Sequence, residues 1–191
     1  MNESGCVKTF TALRCAMLSV LILHERREPA LALTLGRLVE GALDGLVGDV
    51  ALVDAVGDPL AAALAEEGGC ALLSGADAAR GEGWRRGLEA TRGALVLALP
   101  SGLAPRPGWA AAVRETLALA AAGGNAAAAL FPGAPPEGAG ILARLPPRPA
   151  MLLATRAAAL ASAGPQALEA ALRRAGARRL PGFAVDERTA G

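Results

Sequence analysis

Short, nearly unbroken apolar runs alternate along the chain with longer stretches in which apolar residues recur every three or four positions. Residues 17–23 form the first run, the pattern of a strand buried on both faces. Residues 49–53, 70–73 and 94–99 repeat it. Between them the period changes. Glu28-Pro29 opens a helix whose apolar face is Leu31, Leu35, Leu38 and Val39, and 41–48 reads as a turn-rich link. Asp58 as N-cap and Pro59 in the first turn start a second helix, which Gly68-Gly69 stops. Residues 84–91 predict a third helix, and 109–122 a long one that ends at Gly123-Gly124. Beyond it the pattern weakens. Residues 126–131 and 151–155 read as strands around an irregular, Pro- and Gly-rich segment at 131–149, with a further strand at 140–145. A short helix then runs through Leu160, and a last one, at 165–175, stops at Gly176.

Strands alternating with helices predict an α/β fold with a mostly parallel sheet flanked by helices. No long linker or repeat interrupts 16–191, so the expectation is one domain preceded by a polar arm at 1–15. With 53% hydrophobic residues the chain could pass for a membrane protein. Much of that fraction is alanine, however, and the apolar run at 16–23 stops at His24-Glu25-Arg26-Arg27, far short of the roughly 20 residues that span a bilayer. No small-residue cleavage site follows it, so a cytoplasmic chain is expected.

Charge and composition exclude several function classes. The net charge of +1 argues against nucleic acid as a partner, and with no tyrosine and few Phe and Trp there is no aromatic platform for stacking bases. Cys6, Cys15 and Cys70 are odd in number and lack C-x-x-C spacing, which fits reduced thiols. His24 is the only histidine, so no multi-histidine metal cluster can form. No G-x-G-x-x-G follows a strand, no G-x-x-x-x-G-K-[ST] occurs, and Ser101 is not in a G-x-S-x-G elbow.

The ordered set of short motifs resembles the GT-A (Rossmann-like) fold of family-2 glycosyltransferases over nearly the whole chain. Leu18-Ser19-Val20-Leu21-Ile22 is similar to that family's opening strand, and Leu52-Val53-Asp54 to its "VVD". Thr34-Leu35 resembles the "TL" of its first helix. Arg86-Gly87-Leu88-Glu89-Ala90-Thr91-Arg92-Gly93 resembles "N-x-G-L-x-x-A-x-G", and Arg106-Pro107-Gly108-Trp109 resembles "L-P-P-G-W". Leu172-Arg173-Arg174-Ala175-Gly176 resembles "R-R-L-R-x-A-G". The resemblance implies a nucleotide-sugar site along the carboxyl ends of the strands, with Asp54 contacting the nucleobase. It also implies an Asp-x-Asp metal motif just after Leu99, where this chain has Pro100-Ser101-Gly102. Divalent cations of this class need hard oxygen donors, which a lone serine does not supply, so no divalent-metal cofactor is expected. The family's Glu-Asp base falls near Gly164-Pro165, where Glu169 is the nearest carboxylate.

These gaps define the candidates. Asp54 is either a nucleotide contact or a loop-capping residue that starts the turn through Gly57. Asp58 reads as an N-cap, and His24 with Glu25 as an exposed loop pair. Arg26, Arg27 and Arg80, with Arg85 and Arg86, are either scattered surface charges or a cluster binding diphosphate without a metal. Arg173-Arg174 and Arg178-Arg179 make a local basic group, and Trp84 and Trp109 are expected in the core. Three functions remain open. One is a catalytically degenerate glycosyltransferase-like protein binding a nucleotide, a sugar or a protein partner. The second is a metal-independent transferase whose arginines stabilise the leaving diphosphate. The third is a structural or assembly subunit in an oligomer, built on its alanine-rich helices.

Overall fold

A computed structural model of the chain describes residues 17–25, 31–74, 82–123, 129–132, 149–179 and 184–186. Four strands form the first half of the main sheet: β1 (Leu18–His24), β2 (Val47–Asp54), β3 (Ala71–Ser74) and β4 (Leu95–Pro100). The helices α1 (Leu31–Leu43), α2 (Pro59–Glu67) and α3 (Glu82–Ala90) alternate with them. After β5 (Leu103–Pro105) come α4 (Trp109–Gly123), β6 (Ala129–Pro132) and β7 (Pro149–Thr155). The described part closes with α5 (Arg156–Leu160), α6 (Pro165–Arg174), β8 (Arg178–Arg179) and β9 (Ala184–Asp186).

Seven strands make one sheet in the order β3-β2-β1-β4-β7-β6-β8, and β5 with β9 makes a two-stranded ribbon. The sheet is mostly parallel, as the alternating pattern predicts. Only β7 runs against its neighbours, pairing antiparallel with both β4 and β6. Strand β1 lies at the centre and is almost fully buried, because helices cover both faces. Its pleat divides the core in two. Leu18, Val20 and Ile22 pack with Leu31, Leu38, Trp109 and Val113, while Leu21 packs on the other face with Val53, Trp84, Leu88 and Leu172. Each such side chain contributes about 1.5–3 kcal/mol through burial.

Local chemistry explains the element ends. Asp58 caps α2 by accepting from the Leu60 amide at 3.1 Å, with Pro59 in the first turn. Thr155 caps α5 in the same way through the Ala158 amide. The C-terminal carbonyls of Leu88 and Glu89 on α3 accept from the Arg156 guanidinium, which supplies the cation a helix end favours.

Several expectations need correction. Residues 41–48 are not all link: α1 continues to Leu43 and β2 starts at Val47. Gly41 lies inside this helix, and the Trp109 ring takes the space where its side chain would stand, 2.5 Å from an added Cβ. Val39 is half exposed, and Thr34 and Gly41 take buried positions on the inner face of α1. Strands β5, β8 and β9 are additional to the predicted elements. The predicted strand at 140–145 and the arm at 1–15 lie outside the described residues, as do Cys6 and Cys15. Cys70 is half-buried, and burial pushes its thiol pKa up, away from reactive thiolate.

Gly87 fixes how closely α3 lies on the sheet. A Cβ there would stand 2.5 Å from Leu21 Cδ1 and 2.8 Å from Val53 Cγ2, both on buried side chains. Gly87→Ala should therefore destabilise by about 2 kcal/mol through overpacking, despite alanine's better helix propensity. Urea unfolding measures this; an unchanged or raised midpoint would contradict the packing.

Candidate functional site

The parallel strands bring their carboxyl ends to one edge. His24 stands opposite Asp54, Asp54 opposite Ser74, and Leu23 opposite Pro100. In open α/β sheets this is the edge at which ligands bind. The turn after β2 and the turn after β4 form its centre.

Asp54 ends β2 with its carboxylate turned into the following turn. Oδ1 accepts from the amides of Val56 and Gly57, both at 3.0 Å, and Oδ2 accepts from the Asp58 amide at 2.8 Å. Asp54 is buried and caps its own loop. This is the turn-starting geometry that an Asp three residues before a Gly favours. Gly57 occupies the left-handed region at φ 64°.

The turn after β4 is anchored just as fully. The Ser101 amide donates to the Leu23 carbonyl at 2.9 Å. Gly102, at φ 83°, donates its amide to Thr34 Oγ1 at 3.1 Å, and that hydroxyl donates to the Leu103 carbonyl at 3.0 Å. Only glycine adopts this conformation without strain. Thr34, singled out in the sequence as part of a "TL" pair, thus holds α1 to the turn where metal ligands were expected.

His24 joins the two turns, and this corrects the reading of it as an exposed loop residue. It is 0% exposed, whereas Glu25 beside it is exposed. Its Nδ1 lies 2.9 Å from Ser101 Oγ and its Nε2 lies 3.2 Å from Asp58 Oδ2. The Asp58 side chain is 13% exposed. An ionised carboxylate only accepts, so with the imidazole neutral Nε2 carries the hydrogen and Nδ1 accepts from the Ser101 hydroxyl. The result is a continuous chain, Ser101–His24–Asp58, across the ends of β4, β1 and α2.

This geometry resembles a nucleophile triad in composition only. Acyl transfer needs free hydrogen-bond donors aimed at the developing oxyanion, and the amides beside the hydroxyl, those of Ser101 and Gly102, are both engaged within the protein. Nor does the turn fit a divalent cation. Its side chains are a proline, a serine hydroxyl bound to His24, and none on Gly102. The nearby carboxylates of Asp54 and Asp58 are taken up by amides and the imidazole. Among the described residues no three His, Cys, Asp or Glu side chains are grouped to hold a metal.

Among the described residues the other candidates are dispersed. Arg26, Arg27 and Arg80 lie outside the described residues. Arg85 and Arg86 are exposed on α3, and Arg86 lies 3.5 Å from Glu82 one turn earlier. Glu169 pairs with Arg173 on α6, so the nearest carboxylate to the expected base is engaged by its own helix. Arg174, Arg178 and Arg179 are exposed where α6 passes into β8. Trp84 and Trp109 are in the core, as expected.

No protein-family model matches the chain, and no curated protein sequence does. Solved structures do match. Glucosyl-3-phosphoglycerate synthase from Mycobacterium tuberculosis, solved with Mn2+, UDP and phosphoglyceric acid, superposes with a TM-score of 0.65 at 18% identity. That match covers 95% of this chain and 74% of the synthase. Mannosyl-3-phosphoglycerate synthase from Rubrobacter xylanophilus gives a TM-score of 0.62 at 14% identity, covering 95% and 70%. The chain therefore has a GT-A-like fold, and no helix among the described residues is long and apolar enough to cross a membrane.

Proposed function

We propose that this chain keeps the glycosyltransferase scaffold but not its metal-dependent transfer chemistry, and acts by binding a nucleoside- or sugar-containing ligand at the carboxyl edge of its sheet. One observation carries the reading. At the turn where a carboxylate pair should hold metal and diphosphate, Pro100-Ser101-Gly102 is bonded inward, to His24 through Ser101 and to Thr34 through Gly102. A turn whose polar groups face the protein has no donor set for a hard cation. The ligand wall would be the β2–α2 turn from Asp54 to Asp58 together with Glu25.

The synthases of similar fold were solved with UDP and, in several cases, Mn2+, so these are the first ligands to try. Titration with UDP- and GDP-sugars, with and without Mn2+, should give binding without metal-dependent turnover. Turnover that requires Mn2+ would overturn the proposal. The alternative, a metal-independent transferase using Arg26, Arg27 and Arg80, rests on residues outside those described, and no observation favours it.

A further inference from the structure

Helix α1 carries two stripes of uncharged side chains, and only one of them is covered. Leu31, Thr34, Leu38 and Gly41 form the buried stripe, turned to the sheet and to Trp109. Ala32, Gly36, Val39 and Leu43 form the other, at intervals of four, three and four residues, which line up along one face of a helix. All four are exposed, Leu43 by 84% and Val39 by 50%. Leu33, on the border of this stripe, is 53% exposed. The side of a surface helix that faces water ordinarily carries charge, whereas this stripe has none.

The order of sizes along the stripe indicates what fits it. The small residues Ala32 and Gly36 stand in its first half, and the large ones, Val39 and Leu43, in its second. At Gly36 an added Cβ would meet nothing within 4 Å, so the hollow is open. A second copy of the helix, laid antiparallel across a two-fold axis, sets Gly36 against Val39 and Ala32 against Leu43 of the other copy, large into small at each contact. A parallel pair would set large against large and leave gaps between the small residues. Charge agrees with the antiparallel pair. Arg37 and Glu40 lie on the same border of the stripe as Leu33, and the two-fold axis turns that border toward its equivalent on the other copy. Arg37 is exposed, without an ion-pair partner among the described residues, and comes opposite Glu40 of the other copy. The Glu40 carboxylate is itself held in place by the Gly108 amide.

We infer that the outer face of α1 is a self-association surface, occupied by α1 of a second copy in antiparallel orientation. A single pair of helices this short falls short of the roughly 1,600 Å2 of a standard interface, so the dimer should be weak, with a dissociation constant in the micromolar range. It lies on the helical layer and does not depend on ligand binding at the carboxyl edge.

Sedimentation velocity of the whole chain, from low micromolar to several hundred micromolar, tests this. A monomer–dimer equilibrium is expected across that range. A chain that stays monomeric throughout overturns the inference, whether residues of the same chain or a different protein cover the face. Leu43→Glu should weaken the dimer by about tenfold or more and leave the melting temperature of the dilute monomer unchanged. Gly36→Leu separates association from folding more sharply. Leucine has the better helix propensity and meets open space in the monomer, so the melting temperature should hold or rise while the dimer weakens by about tenfold or more. A dimer unaffected by either change lies on another surface and overturns the inference. Orientation is tested by exchanging sizes within the contact. Gly36→Val combined with Val39→Ala should recover most of the affinity lost in Gly36→Val alone, because antiparallel packing brings these two positions together. Failure to recover overturns the antiparallel arrangement.

Discussion

Trp109→Ala is expected to be the most damaging single substitution in the described core, at about 4 kcal/mol. The indole is 1% exposed, and it opens α4 against the inner face of α1. Its Nε1–H donates to the Arg37 carbonyl at 3.0 Å, and its ring fills the space that the absent side chain of Gly41 leaves. Beside it, the Gly108 amide donates to both Glu40 carboxylate oxygens, at 3.0 and 3.2 Å, which ties the start of α4 to the same helix. Truncation removes the ring, leaves a cavity and orphans the carbonyl. For a chain of this size such a loss lowers the melting temperature by roughly 10 °C. Trp109→Phe keeps much of the volume and loses the hydrogen bond, so it should cost about 2 kcal/mol. The contact with Gly41 adds a sharper check. Gly41→Ala should be markedly less harmful in the Trp109→Ala background than alone, because the ring it strikes is gone. Additive losses would show that the two residues do not share that space.

The parts of the fold legible in the sequence are those fixed by local pattern. Strands β1 and β4 announce themselves because both faces are buried, so nearly every position is apolar. Helix α2 is bounded by Asp58-Pro59 and Gly68-Gly69, which act through the backbone groups beside them. Strands β5 and β9 carry no such signal. Each has three residues, and Leu103 pairs with Asp186 only after the chain has crossed the rest of the fold. The direction of β7 is hidden too, since a short apolar strand reads the same when paired either way. At the carboxyl edge, the turn-capping of Asp54 could be read from Asp54 and Gly57, whose spacing favours it. His24 could not be read from its neighbours. Glu25, Arg26 and Arg27 make the segment look exposed, and the partners of the imidazole lie 34 and 77 residues away. One clue was available: His24 continues the alternation of Leu18, Val20 and Ile22, all buried on one face of β1.

His24→Ala is expected to lower stability by about 3 kcal/mol and to loosen both turns of the carboxyl edge together. The imidazole is fully buried, so truncation leaves a cavity, a buried Ser101 hydroxyl without its acceptor and an Asp58 carboxylate without its donor. A purely local effect would be confined to β1. A link between turns predicts more: amide hydrogen exchange should rise at 56–58 and at 101–102 in the same variant. His24→Gln separates the two bonds. Its terminal amide reaches about as far as Nε2 and can still donate to Asp58, but nothing then accepts from Ser101. The glutamine variant should therefore cost about half as much and loosen chiefly the turn after β4. Double-mutant cycles between Ser101→Ala and Asp58→Asn complete the argument, since the two side chains interact only through the ring. A coupling of roughly 0.5 kcal/mol or more with His24 present, lost in the His24→Ala background, is the signature of a continuous chain. Exchange that changes in one turn alone, or a cycle that is additive with the imidazole in place, would separate His24 from the edge it is placed to hold.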